Sequence, residues 1–185
     1  MNIIRFSLGS VGLIMLYIGV VYADGFGEWF EGHERHEGRS YVTTVNSPLY
    51  TKECGSCHFA YQPSWLPARS WKKMMNGLSD HFGDNAEINP EDKATISQYL
   101  LAEASDVKVH RKSRKLMRGI GGDTPLRIST LPYIQSKHDE IPSRLITGNA
   151  KVGSLANCSA CHIQASRGNF GEHGVRIPNY GRWED

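Results

Sequence analysis

The sequence predicts a mainly α-helical protein made of two small domains, and two helical patterns in the first half support this fold class. Apolar residues recur at i, i+3, i+4 and i+7 from Trp71 onward. This spacing predicts an amphipathic helix over residues 68–79. Asn89 as a cap and Pro90 in the first turn predict a second helix, whose apolar face runs to about residue 103.

Proline divides the second half into shorter pieces. Pro125, Pro132 and Pro142 predict extended or turn segments with limited helix between them. Residues 133–138 are long enough for one or two helical turns. The glycine-rich stretch 167–174 predicts a loop.

Composition limits the size of the core and the classes of function. The chain has 185 residues, of which 39% are hydrophobic and 22% are charged. This length suits one domain or two small ones. Because 21 Lys and Arg stand against 19 Asp and Glu, the small net charge argues against nucleic-acid binding through bulk charge.

Residues 1–23 have the features of a secretory signal. Arg5 precedes an apolar run, and Val21 and Ala23 are the small residues that signal peptidase requires before its cleavage site. An uncleaved membrane anchor is the competing interpretation, although a spanning helix needs about 20 apolar residues. We therefore expect export to the periplasm, with residues 24–39 as a flexible N-terminal segment.

The four cysteines lie in two copies of the motif C-x-x-C-H, over residues 54–58 and 158–162. Residues three apart on a helical turn share a face, so two thiols can add to the two vinyl groups of one haem. The next residue then places its imidazole beneath the iron. The sequence therefore predicts two covalently bound haems c, attached through Cys54, Cys57, Cys158 and Cys161, with His58 and His162 as iron ligands.

Three other uses of paired cysteines compete with this prediction. Two disulfides would suit an oxidising compartment. A zinc site leaves both motif histidines unexplained, and a separation of about a hundred residues is unlike a compact zinc finger. A thioredoxin-type redox motif needs a βαβ context, which the sequence lacks.

The remaining histidines decide what the irons can do, because a fully ligated iron carries electrons whereas an open iron can bind a small molecule. His81 lies in the loop between the two predicted helices, a good position from which to aim a ring at a haem. His138 and His173 are both candidates for the second iron. Met74 and Met75 suit the packed face of their helix better than a ligand role.

Two polar segments have less specific interpretations. His33 and His36 are three residues apart, which is too close for the metalloprotease motif H-E-x-x-H, and a solvated segment is favoured. The run 108–118 holds six Lys and Arg. It predicts a solvated connector, a docking site for an acidic partner, or a source of neutralising charge for haem propionates.

The residues around both motifs resemble the bacterial dihaem cytochrome c family, often called DHC. The similar segments are ECGSCHFAYQPSWLPARSWKKMMNGLSDHFGDNA (53–86), TPLRISTLPYIQSKHDEI (124–141) and NCSACHIQASRGNFGEHGVRIP (157–178). We expect two small haem domains, over residues 40–105 and 106–185. The resemblance implies that the first is similar to a class I cytochrome c.

The resemblance also implies a periplasmic electron carrier with two low-spin haems, each held by two histidines. It pairs His58 with His81 and His162 with His138, and it ranks His138 above His173. The family is associated with reduction of an oxygen-binding haem protein and with electron relay from a membrane cytochrome b. We therefore expect redox proteins as partners, compatible with peripheral membrane contact and without nucleic acid.

Electron transfer without a catalytic residue is the expected function, and two other classes stay open. A dihaem oxidoreductase would use Arg127 or Arg144 beside an open iron. A gas-binding or redox-sensing module would also need an open iron. Both alternatives fail if the two irons are saturated by histidine and inert to external ligands.

Overall fold

The computed structural model describes residues 45–183, which are mostly helical, as the sequence predicts. The predicted signal and the segment that carries His33 and His36 lie outside these residues. No helix in the part described has the length and apolar character needed to cross a membrane. The elements are α1 Pro48–Cys54, α2 Ala68–Asn76, α3 Pro90–Ala102, α4 Arg111–Leu116, α5 Pro132–Ser136, α6 Ser143–Ile146, α7 Cys158–Cys161, and an antiparallel pair, β1 Arg176–Ile177 with β2 Gly181–Arg182.

Helix α1 begins at a serine cap and ends inside the first motif. Ser47 Oγ accepts a hydrogen bond from the Tyr50 amide at 3.2 Å, which satisfies one of the free N–H groups at the helix start. At the other end, a Cβ on Gly55 would lie 2.1 Å from the carbonyl oxygen of Thr51. The first motif therefore needs glycine at this position.

Helices α2 and α3 lie where the sequence predicts them, although α2 is shorter than predicted at its C-terminal end. Helix α2 ends at Asn76, because Gly77 leaves the helical conformation, and a separate 3₁₀ turn follows at Leu78–Asp80. The side chain of Asn89 accepts from the Asp92 amide at 2.8 Å and caps α3. Helix α3 ends within one residue of the predicted position.

Two hydrophobic clusters of unequal size form the core. The first contains the buried tryptophans Trp65 and Trp71. It also includes Leu116 from α4 and Ile128 from the 3₁₀ turn Ile128–Thr130. Among residues 45–183, the second has four buried members, which are Ile146, Val152, Val175 and Ile177. The division between residues 105 and 106 stays a prediction.

Arg69 attaches the connector after α4 to helix α2. Its Nε donates to the carbonyl oxygen of Asp123 at 2.7 Å, and its Nη2 donates to that of Gly121 at 2.9 Å. Its Nη1 also lies 3.9 Å from Asp106 Oδ2. One guanidinium thus contacts three residues between α3 and α5. Arginine can do this because its planar guanidinium carries several N–H donors.

Candidate functional site

The first motif lies where α1 ends, and none of the four motif cysteines is in a disulfide bond. Cys54 closes the helix, whereas Cys57 and His58 are exposed in the turn that follows. Burial raises the pKa of the Cys54 thiol to about 11, and the Glu53 carboxylate adds to the rise. The Nδ1 atom of His58 lies 2.8 Å from the carbonyl oxygen of Phe59, which fixes the ring.

His81 lies opposite His58, and a tight turn holds it there. The two ring centroids are 6.2 Å apart and the ring planes differ by 20°. The His81 amide donates to the Asp84 carbonyl at 2.7 Å, while Phe82 between them takes the left-handed conformation with φ 61°. Burial lowers the pKa of His81, and His58 and Arg127 lower it further.

The second motif forms a helix of its own, α7, with His162 at its end. His138 follows α5, and its ring centroid lies 6.1 Å from that of His162, with the planes at 77°. The Nδ1 atom of His138 is 2.7 Å from the carbonyl oxygen of Ile134. Burial, then His138 and Lys112, lower the pKa of His162 to about 4. His162 is therefore neutral at pH 7, as a metal ligand must be.

A cavity of about 280 Å³ brings the whole second set together. Both cysteines of the motif, His162 and His138 line it, with mostly apolar neighbours. Three lysines, Lys112, Lys115 and Lys137, supply positive charge in the lining. The last lies 3.4 Å from Glu172 Oε1. We call this space the second-site cavity.

The surroundings of His81, at the first site, are more open than the second-site cavity. His81 lines a wide depression of about 580 Å³ together with Met74, Phe82 and Arg127. His58 and its motif cysteines are not part of that lining. The guanidinium carbon of Arg127 lies 4.0 Å from the centre of the Phe82 ring, which is a cation–π contact at an exposed site.

Both pairs of histidines have a geometry that fits a haem iron. Two imidazoles on opposite sides of one iron, with bonds of about 2 Å and about 1.1 Å from nitrogen to ring centre, place the centroids about 6.2 Å apart. The observed separations are 6.2 and 6.1 Å. His81 and His162 each have a buried Nδ1 with no hydrogen-bond partner among the described residues. Chemistry and spacing therefore suit one haem at each motif.

The other candidates have different surroundings, although Met74 lines the same depression as His81. His173 is exposed in the turn Glu172–Gly174. Met75 is buried in the first cluster, and Met74 packs against it, as their helical spacing predicts. Arg144 is exposed on α6. The structure thus brings His81 and His138 next to the motif histidines.

Sequence reasoning missed the aromatic residues that line the sites. Tyr61, Trp65 and Phe170 all line the second-site cavity, yet the first two follow the first motif. No local pattern marks them, because the hydrogen bond that joins Tyr61 to Ala156 spans 95 residues. The sequence analysis singled out the basic run that contains Lys112. Nothing in the sequence distinguished this lysine, which lines the cavity, from the exposed residues of the run.

The sequence pattern of the dihaem cytochrome c family matches residues 50–170. Among solved structures, a diheme cytochrome type c from Shewanella baltica OS155 is 40% identical, with a TM-score of 0.63. That match covers 74% of this chain and 97% of the other. No curated protein matches.

A diheme cytochrome c from Rhodobacter sphaeroides is also similar. It is 42% identical, with a TM-score of 0.62, and the match covers 69% of this chain and 98% of the other. A second structure from the same organism is 40% identical, with a TM-score of 0.57. Both matches are well above the identity at which only the fold is shared.

Proposed function

Because the chain belongs to the dihaem cytochrome c family, we propose that it is a periplasmic electron carrier whose two irons are each held by two histidines. Two covalently bound haems c and haem-based electron transfer come with the family. The observation that carries the finer proposal is the spacing of the histidine pairs, 6.2 Å for His58 with His81 and 6.1 Å for His138 with His162.

Each ligand has a separate task in this proposal. The four motif cysteines hold the haems covalently, and His58 and His162 are the proximal ligands. His81 and His138 fill the opposite positions. When bound, each haem supplies a one-electron iron couple. Rings fixed by backbone contacts, such as that of His138 with Ile134, keep the ligands in place during a change of iron charge.

Saturation of both irons by histidine leaves no open coordination position for a substrate. No side chain then needs to act as an acid, base or nucleophile, and the protein contributes binding, orientation and electrostatics. Two imidazoles per iron also favour a lower potential than a histidine and a methionine, because a thioether ligand raises it. This proposal therefore makes the chain a low-potential carrier.

We further propose redox proteins as the partners, with a haem protein as acceptor and a membrane cytochrome b as donor. The exposed residues Arg111, Arg114 and Arg118 recur at i, i+3 and i+7 on and just after α4, so they share one face. That face suits an acidic partner surface and would speed encounter at low salt. It is also compatible with peripheral contact with an anionic membrane.

The test is the optical spectrum of the dithionite-reduced holoprotein with and without carbon monoxide. The wild type should not change, because both irons are saturated. His81→Ala and His138→Ala should each open one iron, so that about half of the haem absorbance responds to the gas. His173→Ala is the matched control and should behave as wild type.

A response of the wild type would contradict the carrier proposal. The open depression beside His81 and the nearby Arg127 would then support a dihaem oxidoreductase or a gas sensor at the first site. A response of the second haem in His173→Ala, with none in His138→Ala, would instead exchange the roles of those two histidines.

A further inference from the structure

The segment that follows the first motif is joined to both sides of the second motif. Tyr61 donates from its hydroxyl to the carbonyl oxygen of Ala156 at 2.6 Å, two residues before Cys158. Gln62, which is only 1% exposed, donates from Nε2 to the carbonyl oxygen of Ala165 at 3.5 Å. Residues on either side of α7 are thus held against the chain that leaves the first site.

A continuous series of ring contacts leads from one motif histidine to the other. The His58 ring is 5.0 Å from Tyr61, and Tyr61 is 6.4 Å from Trp65. Trp65 is 4.6 Å from Phe170, and Phe170 is 5.4 Å from His162. All four are centroid distances, and all fall in the range of about 4.5–7 Å typical of aromatic pairs.

Phe59 contacts two rings of this series. It contacts Tyr61 at 4.5 Å and Phe170 at 6.2 Å between centroids. Trp65 is only 4% exposed, and the other three rings are half-buried. Burial raises the pKa of Tyr61 to about 12. The rings therefore occupy an apolar space that reaches the second motif.

We infer that Phe59, Tyr61, Trp65 and Phe170 form an aromatic spacer, which fixes the geometry between the two haem sites and excludes bulk water from between them. This inference rests on the proposed role of His58 and His162 as proximal ligands. Phe170 and Tyr61 are positioning residues, because they act through the ligand rings and the adjoining backbone rather than on an iron.

The spacer has an electrostatic consequence. Charges interact more strongly across an apolar, low-dielectric gap than across water. Oxidation of one site should therefore make oxidation of the other harder, and the two haems should titrate as a coupled pair. Fixed orientation should also give the two Soret transitions a constant relative geometry, which circular dichroism reports as a paired positive and negative band.

The test uses the wild-type holoprotein and two variants, Phe170→Leu and Tyr61→Phe. The first removes the ring that contacts His162, and the second removes only the hydroxyl that bonds to Ala156. We expect Phe170→Leu to weaken the redox interaction between the haems about twofold as water raises the local dielectric, and to reduce the Soret couplet. Tyr61→Phe should reduce the couplet less.

Tyr180→Leu is the matched control, because it removes an exposed aromatic ring whose ring contact is with Trp183 outside the spacer. It should leave both readouts at the wild-type value. An unchanged couplet and an unchanged redox interaction in Phe170→Leu would overturn the inference. If that variant does not fold, Tyr61→Leu decides, because it removes both the ring and the hydroxyl: a reduced couplet would favour the inference, and an unchanged one would overturn it.

These readouts separate the spacer from the carrier proposal. They depend on the two proximal sites, and the gas-binding test depends on the distal ligands. If the wild type binds carbon monoxide, the carrier proposal is wrong, and the result for the spacer is unaffected. If the couplet and the redox interaction are unchanged in Phe170→Leu, the spacer inference is wrong, although both irons remain saturated.

Discussion

The two haem regions use the protein in different ways. The first motif follows a helix that packs into a large core with Trp65 and Trp71, while its own histidine is exposed to solvent. In the second region, the motif and both histidines line the second-site cavity. In the part of the chain that the structure describes, the adjoining hydrophobic cluster has four buried members.

This difference indicates what each haem contributes to folding. The first region can bury its apolar side chains against one another before a cofactor is present. A small region with few buried residues has little hydrophobic stabilisation to offset its conformational entropy. In the second region, the haem therefore replaces the missing core, in addition to its redox role.

Removal of each attachment site in turn should give the largest effect. In Cys158→Ala/Cys161→Ala, residues 141–183 should lose amide-exchange protection by about 100-fold or more, because the opening free energy falls by several kcal/mol. Cys54→Ala/Cys57→Ala should leave most of the protection in α2 and α3. Hydrogen exchange monitored by mass spectrometry or NMR measures both.

The two double variants serve as each other's control, because each retains one haem. Equal loss of protection in both regions of either variant would contradict the comparison. That result would mean that the chain folds as one cooperative unit around both cofactors.

A smaller effect is expected at the lysines of the second-site cavity. Lys112 lies near His162, whose pKa it lowers, and its Nζ is 5.3 Å from the centre of the Tyr133 ring. A positive charge favours the reduced iron, so Lys112→Gln should lower the second midpoint potential by an amount on the order of tens of millivolts. Spectroelectrochemical titration measures the shift.

Lys93→Gln is the control for this substitution. Lys93 is half-buried on α3 and is not part of the cavity lining, so both potentials should stay at the wild-type value. A shift of the first potential in Lys112→Gln, with none in the second, would mean that this lysine acts at the other haem.

Arg127 should have the smallest effect, because solvent screens its charge. It is exposed, it stacks on Phe82, and it lowers the pKa of His81. Arg127→Gln should lower the first midpoint potential by on the order of ten millivolts. Arg144→Gln on α6 is the matched control, and a shift in Arg144→Gln equal to that in Arg127→Gln would contradict the assignment.

Local signals in the sequence were sufficient for α2, α3 and the two motifs. They did not predict α1, α6 or the short helix α4 within the basic run 108–118, and they did not predict contacts between distant residues. The Asn89 cap and the spacing from Trp71 predicted α3 and α2 from neighbouring residues, apart from the earlier end at Gly77. The proximity of His138 to His162 came only from the family resemblance, because spacing in sequence does not fix spatial pairing. The contact of Phe170 with Trp65 depends on tertiary packing, which no local pattern encodes.

The triple contact of Arg69 has a consequence for how the protein responds to its medium. The guanidinium holds Gly121, Asp123 and Asp106 against α2, so the connector after α4 is bound to the first core instead of acting as a free hinge. Electron exchange between the two irons then requires no large domain motion, which would occur on the microsecond to millisecond scale. The exchange rate should therefore be insensitive to the viscosity of the solvent, whether the protein is in dilute buffer or in a crowded compartment.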